Sequence, residues 1–287
     1  MKNGLLIFLA VLLALGGSWC GFVLAPTLQL GGEKQATILN STDVYPVGRP
    51  GVANQGAPVY LANGCAACHT EQVRQDGVAC AVVLTDFGSK TSNVIQAVNF
   101  ILETSALTTR TADTWSLEHS GGEIKVPATI AHGISKEAAD KAAEKIAAAG
   151  GKVEIHIAAT GPDIARGWGM RQSVGADYLY DNPVELGSLR AGPDLSNIGS
   201  REDANWQLQH LYAPQSVVKG STMPPFRYLF EVRKNTGESS PEALKLPPEF
   251  APPAGFEVVP TPEAVELAAY LVSLRANAPL YAAPITP

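Results

Sequence analysis

The sequence predicts a mainly α protein with one N-terminal membrane helix and a helical domain interrupted by a small inserted α/β unit. Three observations carry this reading. Residues 4–24, GLLIFLAVLLALGGSWCGFVL, hold no charge, and about twenty apolar residues rising about 1.5 Å each suffice to cross a hydrocarbon layer of about 30 Å. Residues 79–158 are Ala- and Lys-rich with intervening β runs. The segments around 56–64 and 262–275 carry helical patterns, while 21 prolines, concentrated after position 180, give the second half shaped loops.

The length of 287 residues allows real hydrophobic cores beside a membrane segment. Formal net charge is −6 and no basic stripe is interleaved with aromatics, which argues against nucleic acid as a partner. The four cysteines, Cys20, Cys65, Cys68 and Cys80, do not make a disulfide-stapled mini-protein in a chain this long.

Taken in order, the apolar run follows Lys2 and carries Trp19 near its far end, where an indole suits the membrane interface. It exceeds the apolar core of about 7–15 residues in a cleavable signal peptide, so residues 1–25 are expected to stay as an anchor meeting membrane lipid, although VLA at 23–25 also reads as a cleavage site. Cys20 reads as a small apolar membrane residue, because Trp19 is too bulky to precede a lipidated cysteine. With Lys2 kept in the cytoplasm, everything from about residue 26 lies on the periplasmic side of a single-pass inner (plasma) membrane protein. Residues 26–50 read as a polar connector, and GAPVYLANG (56–64) as a short helix.

In the inserted unit, ACAVVL (79–84) reads as a strand and SNVIQAVNFILE (92–103) as an amphipathic helix with Val94, Ile95, Val98, Ile101 and Leu102 on one face. EIKVPATIAH (123–132) is a further strand, Ser135 caps the helix KEAADKAAEKIAAAG, Gly150-Gly151 stops it, and KVEIHIA (152–158) is the last strand. Together these form a self-sufficient α/β unit. Near the C-terminus, Thr261 and Pro262 open PEAVELAAYLVSLR, with Val265, Leu267, Ala268, Leu271, Val272 and Leu274 as its apolar stripe.

The unit 79–158 resembles the C-terminal domain of the bacterial ribosomal stalk protein through VVLTDFGSKTSNVIQAV and GISKEAADKAAEKIAAAGGKVEIHIA. That domain works through a lysine-bearing helix, and the corresponding NVIQAVNFILE has no lysine. Binding of translation factors is therefore not carried over, and a structural or docking insert is expected.

The chemistry is concentrated in NGCAACHT (63–70). Cys65-x-x-Cys68-His69 is the pattern for covalent attachment of one haem c: two thiols add to the porphyrin vinyl groups, and the next imidazole becomes the proximal iron ligand. A zinc site would need a second pair of ligands at similar spacing, and a redox dithiol a βαβ setting. Cys80 opens a strand and reads as a buried small hydrophobe. For the distal ligand, Met223 in KGSTMPPF is favoured because two prolines fix the backbone after the thioether; Met170 in GWGMRQ is the rival. Three histidines, His119, His132 and His156, belong to the insert, and His210 reads as a core histidine. Met/His ligation suits one-electron transfer.

AGPDL (191–195) resembles the Gly-Pro-x-Leu turn of cytochromes c, which implies that the Pro193 carbonyl accepts the proximal imidazole N–H. Arg190 is expected to pair with a haem propionate, and the helix of Tyr270 and Leu271 to cross that of Gly56 and Tyr60, as in that family. SWCGFVLAPTLQLG, GCAACHTEQVR, YDNPVELGSLRAGPDLSNIGSR and HLYAPQSVVKGSTMPPFRYL, in that order, resemble the membrane-anchored monohaem cytochrome c subunit, subunit II, of cbb-type cytochrome c oxidases. The resemblance implies a class I cytochrome c-like haem domain, discontinuous over 51–78 and 159–280. It also implies electron transfer towards a haem–copper catalytic subunit that reduces oxygen to water, a further cytochrome c subunit as partner, and no catalytic site on this chain.

Overall fold

The computed structural model describes residues 3–104, 125–235 and 237–285. The N-terminal run is helical throughout: α1 (Gly4–Trp19), a π-helical stretch (Cys20–Leu24) and α2 (Ala25–Gly31). Its segment Gly4–Gln29 has a mean hydropathy of 2.3, is long and apolar enough to cross a membrane, and is not buried against the rest of the protein. A helix apolar on every side and uncovered by protein matches a lipid surroundings.

The expected connector is more ordered than its polarity suggested. Strand β1 (Ala36–Thr37) pairs antiparallel with β2 (Val44–Tyr45). Ile38 bridges Leu280, and the Leu39 amide donates to the Pro279 carbonyl at 2.9 Å. Arg171, with 0% exposure, anchors this corner: it donates to Asp177 at 3.0 and 2.7 Å and to the Ala278 carbonyl at 2.6 Å, and lies 5.7 Å from the Tyr45 ring. Residues 36–50 are thus part of the body, and sequence periodicity had no means of showing a pairing with the C-terminal tail.

After α3 (Gly51–Ala62) and a 3₁₀ turn (Cys65–Ala67), the chain enters the inserted unit: β3 (Gly77–Asp86), α4 (Thr91–Thr104), β4 (Ala128–Ile134), α5 (Lys136–Ala149) and β5 (Lys152–Thr160). The sheet order is β4-β3-β5, antiparallel at both junctions. Alternation along β3 sends Cys80, Val82 and Leu84 into a core shared with Val94, Ala97, Val98 and Ile101 of α4 and Ala139, Ala142 and Ile146 of α5. Ser135 caps α5, accepting from the Ala138 amide. On α4 the inward face includes Ala97 where the sequence reading had Ile95, which is half-buried; the Leu102 side chain, His119 and residues 123–124 lie outside the described residues.

The chain re-emerges through α6 (Pro162–Ala165), then α7 (Ala204–Tyr212), whose N-terminus Asp203 caps by accepting from the Trp206 amide at 2.8 Å. The hairpin β6 (Phe230–Lys234) and β7 (Phe256–Pro260) precedes α8 (Pro262–Ser273), capped by Thr261. Among the described residues three small sheets accompany the helices, so the expected mainly α class is met only in part. A second core joins α3, α7 and α8 through Tyr60, Leu211, Leu267, Tyr270 and Leu271. The inward face of α8 takes Ala264 and Tyr270 in addition to the expected Leu267, Ala268 and Leu271, while Val265 faces solvent.

The α3–α8 crossing depends on Gly56. A Cβ there would lie 2.0 Å from the Glu266 carbonyl oxygen and 2.7 Å from the Tyr270 Cβ, so any side chain pushes the helices apart. Gly56→Val is expected to destabilise the domain by about 1–3 kcal/mol, read as a lower urea midpoint; an unchanged midpoint would show that the crossing tolerates separation.

Candidate functional site

The sequence singled out Cys65, Cys68 and His69, and the structure sets all three on one cleft. From Gly64 onward the backbone closes successive turns: the amides of Cys68 and His69 donate to the Cys65 carbonyl at 3.1 and 3.0 Å. The cleft beyond this turn has two adjoining parts, of about 220 and 330 Å³, lined in common by His69, Pro193, Trp206, His210, Val218 and Met223. Cys65 lines one part and Cys68 the other.

His69 is held in one orientation. Its Nδ1 donates to the Pro193 carbonyl at 2.8 Å; a carbonyl only accepts, so Nδ1 carries the proton and Nε2 keeps its lone pair. Gly192 lies against the ring, where a Cβ would come within 2.2 Å of Cε1. Burial pushes the imidazole below its ordinary value, with the Pro193 carbonyl and Asp194 opposing. The ring is therefore neutral at pH 7, the form that ligates metals.

Pro193 is itself fixed by its neighbours. The Gly192 amide donates to the Cys68 carbonyl at 2.9 Å and the Leu195 amide to the Thr70 carbonyl at 2.8 Å. Asp194, with no exposed surface, accepts from the Thr70 hydroxyl, the Gln72 amide and the Ser196 amide at 2.6, 2.7 and 2.9 Å. Segments 68–72 and 192–196 thus run side by side as one frame.

The Cys65 thiol does not suit a redox dithiol. Cys65 is half-buried and free, and burial, reinforced by the carboxylates of Glu71 and Glu185, pushes its thiol up to about 12. A redox dithiol or thiolate ligand needs the opposite shift. Among the described residues no group of three or more His, Cys, Asp or Glu side chains is arranged to hold a metal ion. Cys80 is buried in the inserted core.

Met223 and Met170 separate clearly. Met223 lines both parts of the cleft and packs on the α3/α7/α8 core. Met170 is 48% exposed and lines neither. Arg190 also lines neither part: its Nη1 donates to both oxygens of Asp163 at 2.6 Å and its Nη2 to the Gln72 carbonyl. Arg190, expected to pair with a haem propionate, is thus engaged with Asp163 and the Gln72 carbonyl in this structure.

Sequence reasoning missed the donors that do face the cleft. Arg201 Nε, Gln207 Nε2 and His210 Nδ1 are buried, line one part of it, and have no hydrogen-bond partner among the described residues. Arg201 is braced by Nη2 donating to the Asp194 carbonyl at 2.7 Å, and burial lowers its pKa, with Asp194 and Glu202 opposing. Burial, and next the nearby His69, push His210 down to about 4, and its ring stacks on Trp206 at 4.6 Å. Buried polar atoms are almost always paired; three orphaned nitrogens on one wall fit a ligand that brings acceptors, as the carboxylates of a haem would. Their signal in the sequence was weak, since all three depend on how residues 201–210 face the cleft.

Behind the turn, Glu71 is 3% exposed and accepts from the Tyr270 hydroxyl at 3.0 and 3.1 Å. Burial pushes its carboxyl up to about 8, the Tyr270 bond opposing. Arg49 lies 5.0 Å from the Tyr270 ring and pairs with Asp181.

Over residues 163–247 the chain matches the family described as Cytochrome C oxidase, mono-heme subunit/FixO. No curated protein matches it. The family match opens just after β5 ends at Thr160, so it contains Pro193, Arg201, Gln207, His210 and Met223 but neither the cysteines nor His69. This part of the chain is similar to oxidase subunits whose description names a single haem, and the cleft has the donors such a group requires.

Gly192→Ala is expected to displace the His69 ring and lengthen its bond to Pro193, read as loss of the downfield Nδ1–H resonance in NMR. A retained resonance would mean that the ring and the loop move together.

Proposed function

We propose that this protein is the membrane-anchored, electron-transferring monohaem cytochrome c subunit of a cbb-type haem–copper oxidase. In this reading Cys65 and Cys68 carry the haem as thioethers, and His69 and Met223 are the axial ligands. The observation that carries it is the cleft itself: an oriented neutral imidazole, two thiols and a thioether line one space whose wall also presents orphaned nitrogen donors.

Bound there, a haem supplies a one-electron ferric/ferrous couple. Pro193 holds the imidazole and makes it a better donor, as outer-shell acceptors do. Met223 would hold the group from the opposite side, and a methionine there would suit electron transfer rather than oxygen or peroxide chemistry. Arg201 would neutralise the carboxylates of such a group, and Gln207 and His210 would hold them by hydrogen bonds.

The surroundings support a subunit of a complex. Residues 36–50 are bound to the body by the β1–β2 pair, the tail and Arg171, so only residues 32–35 separate the membrane helix from the folded domain. Four residues span at most about 14 Å, too little for a domain that swings between distant partners. Such a domain suits a fixed neighbour in the same membrane: the haem–copper catalytic subunit, with a further cytochrome c subunit delivering electrons. Lys2 at the start of the anchor favours the haem domain on the periplasmic side of the inner membrane. The inserted unit, 77–160, has its own core and lies outside the family match. We read it as a structural or docking insert, its likeness to the ribosomal stalk domain being one of sequence.

Met223→Ala is expected to retain covalent haem but to lose the low-spin Met/His absorption spectrum and lower the reduction potential, whereas Met170→Ala changes neither. An unchanged spectrum for M223A would remove Met223 from the iron.

A further inference from the structure

Arg190 and Asp163 make a buried pair that the electron-transfer reading leaves without a role. Asp163 is 3% exposed and sits in the first turn of α6, directly after the chain leaves the inserted unit. Its carboxylate accepts from Arg190 Nη1 through both oxygens at 2.6 Å and from the Arg74 amide at 2.8 Å. Burial works against its charge, but the Arg190 guanidinium and the Arg74 amide hold the carboxyl below its usual range. The Asp76 amide donates to the Thr160 carbonyl at 2.8 Å, so the entering and leaving strands of the insert are tied together beside this carboxylate.

On its other side Arg190 reaches the haem-facing frame. Its Nη2 donates to the Gln72 carbonyl and lies 3.9 Å from Asp194. Gln72 and Asp194 are the residues that lock segment 68–72 to segment 192–196, and Pro193 sits between Gly192 and Asp194 with its carbonyl on His69. A guanidinium that fastens three chain segments with its planar donor fork cannot be replaced by a point charge.

We propose that Asp163 and Arg190 are positioning residues, which hold the Pro193 carbonyl against the His69 imidazole and thereby join the root of the inserted unit to the iron's ligand. This inference rests on the haem reading for its electronic consequence, but not for its mechanical one. A firm Nδ1–H···O=C bond makes the imidazole more basic and favours ferric iron; loosening the loop weakens the bond and favours ferrous iron. The insert thus has a direct route by which strain at its base alters the site, without touching the cofactor.

The test uses the full-length, haem-loaded chain in detergent. For D163N we expect retained covalent haem, a more positive reduction potential, and amide exchange at Gly192 and Leu195 faster by about tenfold or more, the size of one lost charge-assisted hydrogen bond. Exchange at Val82 and Ile155 in the inserted core should stay unchanged, and Asp163→Glu should restore part of the potential. R190K, which keeps the charge but loses the fork, should behave like D163N and serves if that variant fails to fold. Glu154→Gln, on the exposed side of β5, should change nothing. An unchanged potential together with unchanged exchange at Gly192 in a folded variant overturns the proposal. If the wild-type chain carries no covalent haem, the functional reading fails while the exchange measurement still decides the brace.

Discussion

The hydrogen bond from His69 Nδ1 to the Pro193 carbonyl, 2.8 Å long and joining residues 124 apart in sequence, is the contact around which the rest of the molecule is arranged. One partner follows the Cys65–Ala67 turn and the other lies beyond the whole inserted unit. Closing so long a loop costs conformational entropy, and one neutral hydrogen bond contributes only about 1 kcal/mol. The contact persists because Asp194 satisfies three donors from both segments at once, and because Gly192 leaves room for the imidazole to lie against the backbone. The tautomer and orientation of His69 are consequences of that frame.

The same frame explains how an entire α/β unit sits between segments 68–72 and 192–196 without separating them. The insert has its own sheet, helices and core, and its strands leave and return side by side. Neither core contributes a buried residue to the other. The family match begins only after the insert, at residue 163. The pinned connector has an analogous effect at the other end: Arg171 and the C-terminal tail convert what reads as a tether into a strut.

Legibility in the sequence followed the range of the interactions. Cys65, Cys68 and His69 are fixed by local spacing, and the helices capped by Ser135 and Thr261 by local chemistry, so these were readable directly. Pro193 and the crossing at Gly56 were reached through the resemblance to cytochromes c and Met223 through the two prolines that follow it; the structure puts the Pro193 carbonyl on His69 and Met223 on the cleft. What failed depended on long-range pairing. Arg190 and Arg201 are both loop arginines near the Gly-Pro turn, and only the position of Asp163 decides which is engaged internally and which faces the cleft. The ordered connector needs residues 278–280, and the inward turn of Ala97 over Ile95 depends on how α4 packs against α5 and β3. His210 was read as a core histidine; it is half-buried, but its ring borders the cleft with an unpaired Nδ1, a distinction set by the rotation of α7.

The central claim is that the turn at Cys65–His69 carries one porphyrin by covalent bonds. Intact-mass measurement of the purified chain after full denaturation, followed by mapping of the modified peptide, tests it most directly. The account predicts the added mass of a single haem, retained in denaturant and located on the peptide that holds both Cys65 and Cys68. An unmodified chain, purified from cells competent to mature c-type cytochromes, would contradict it.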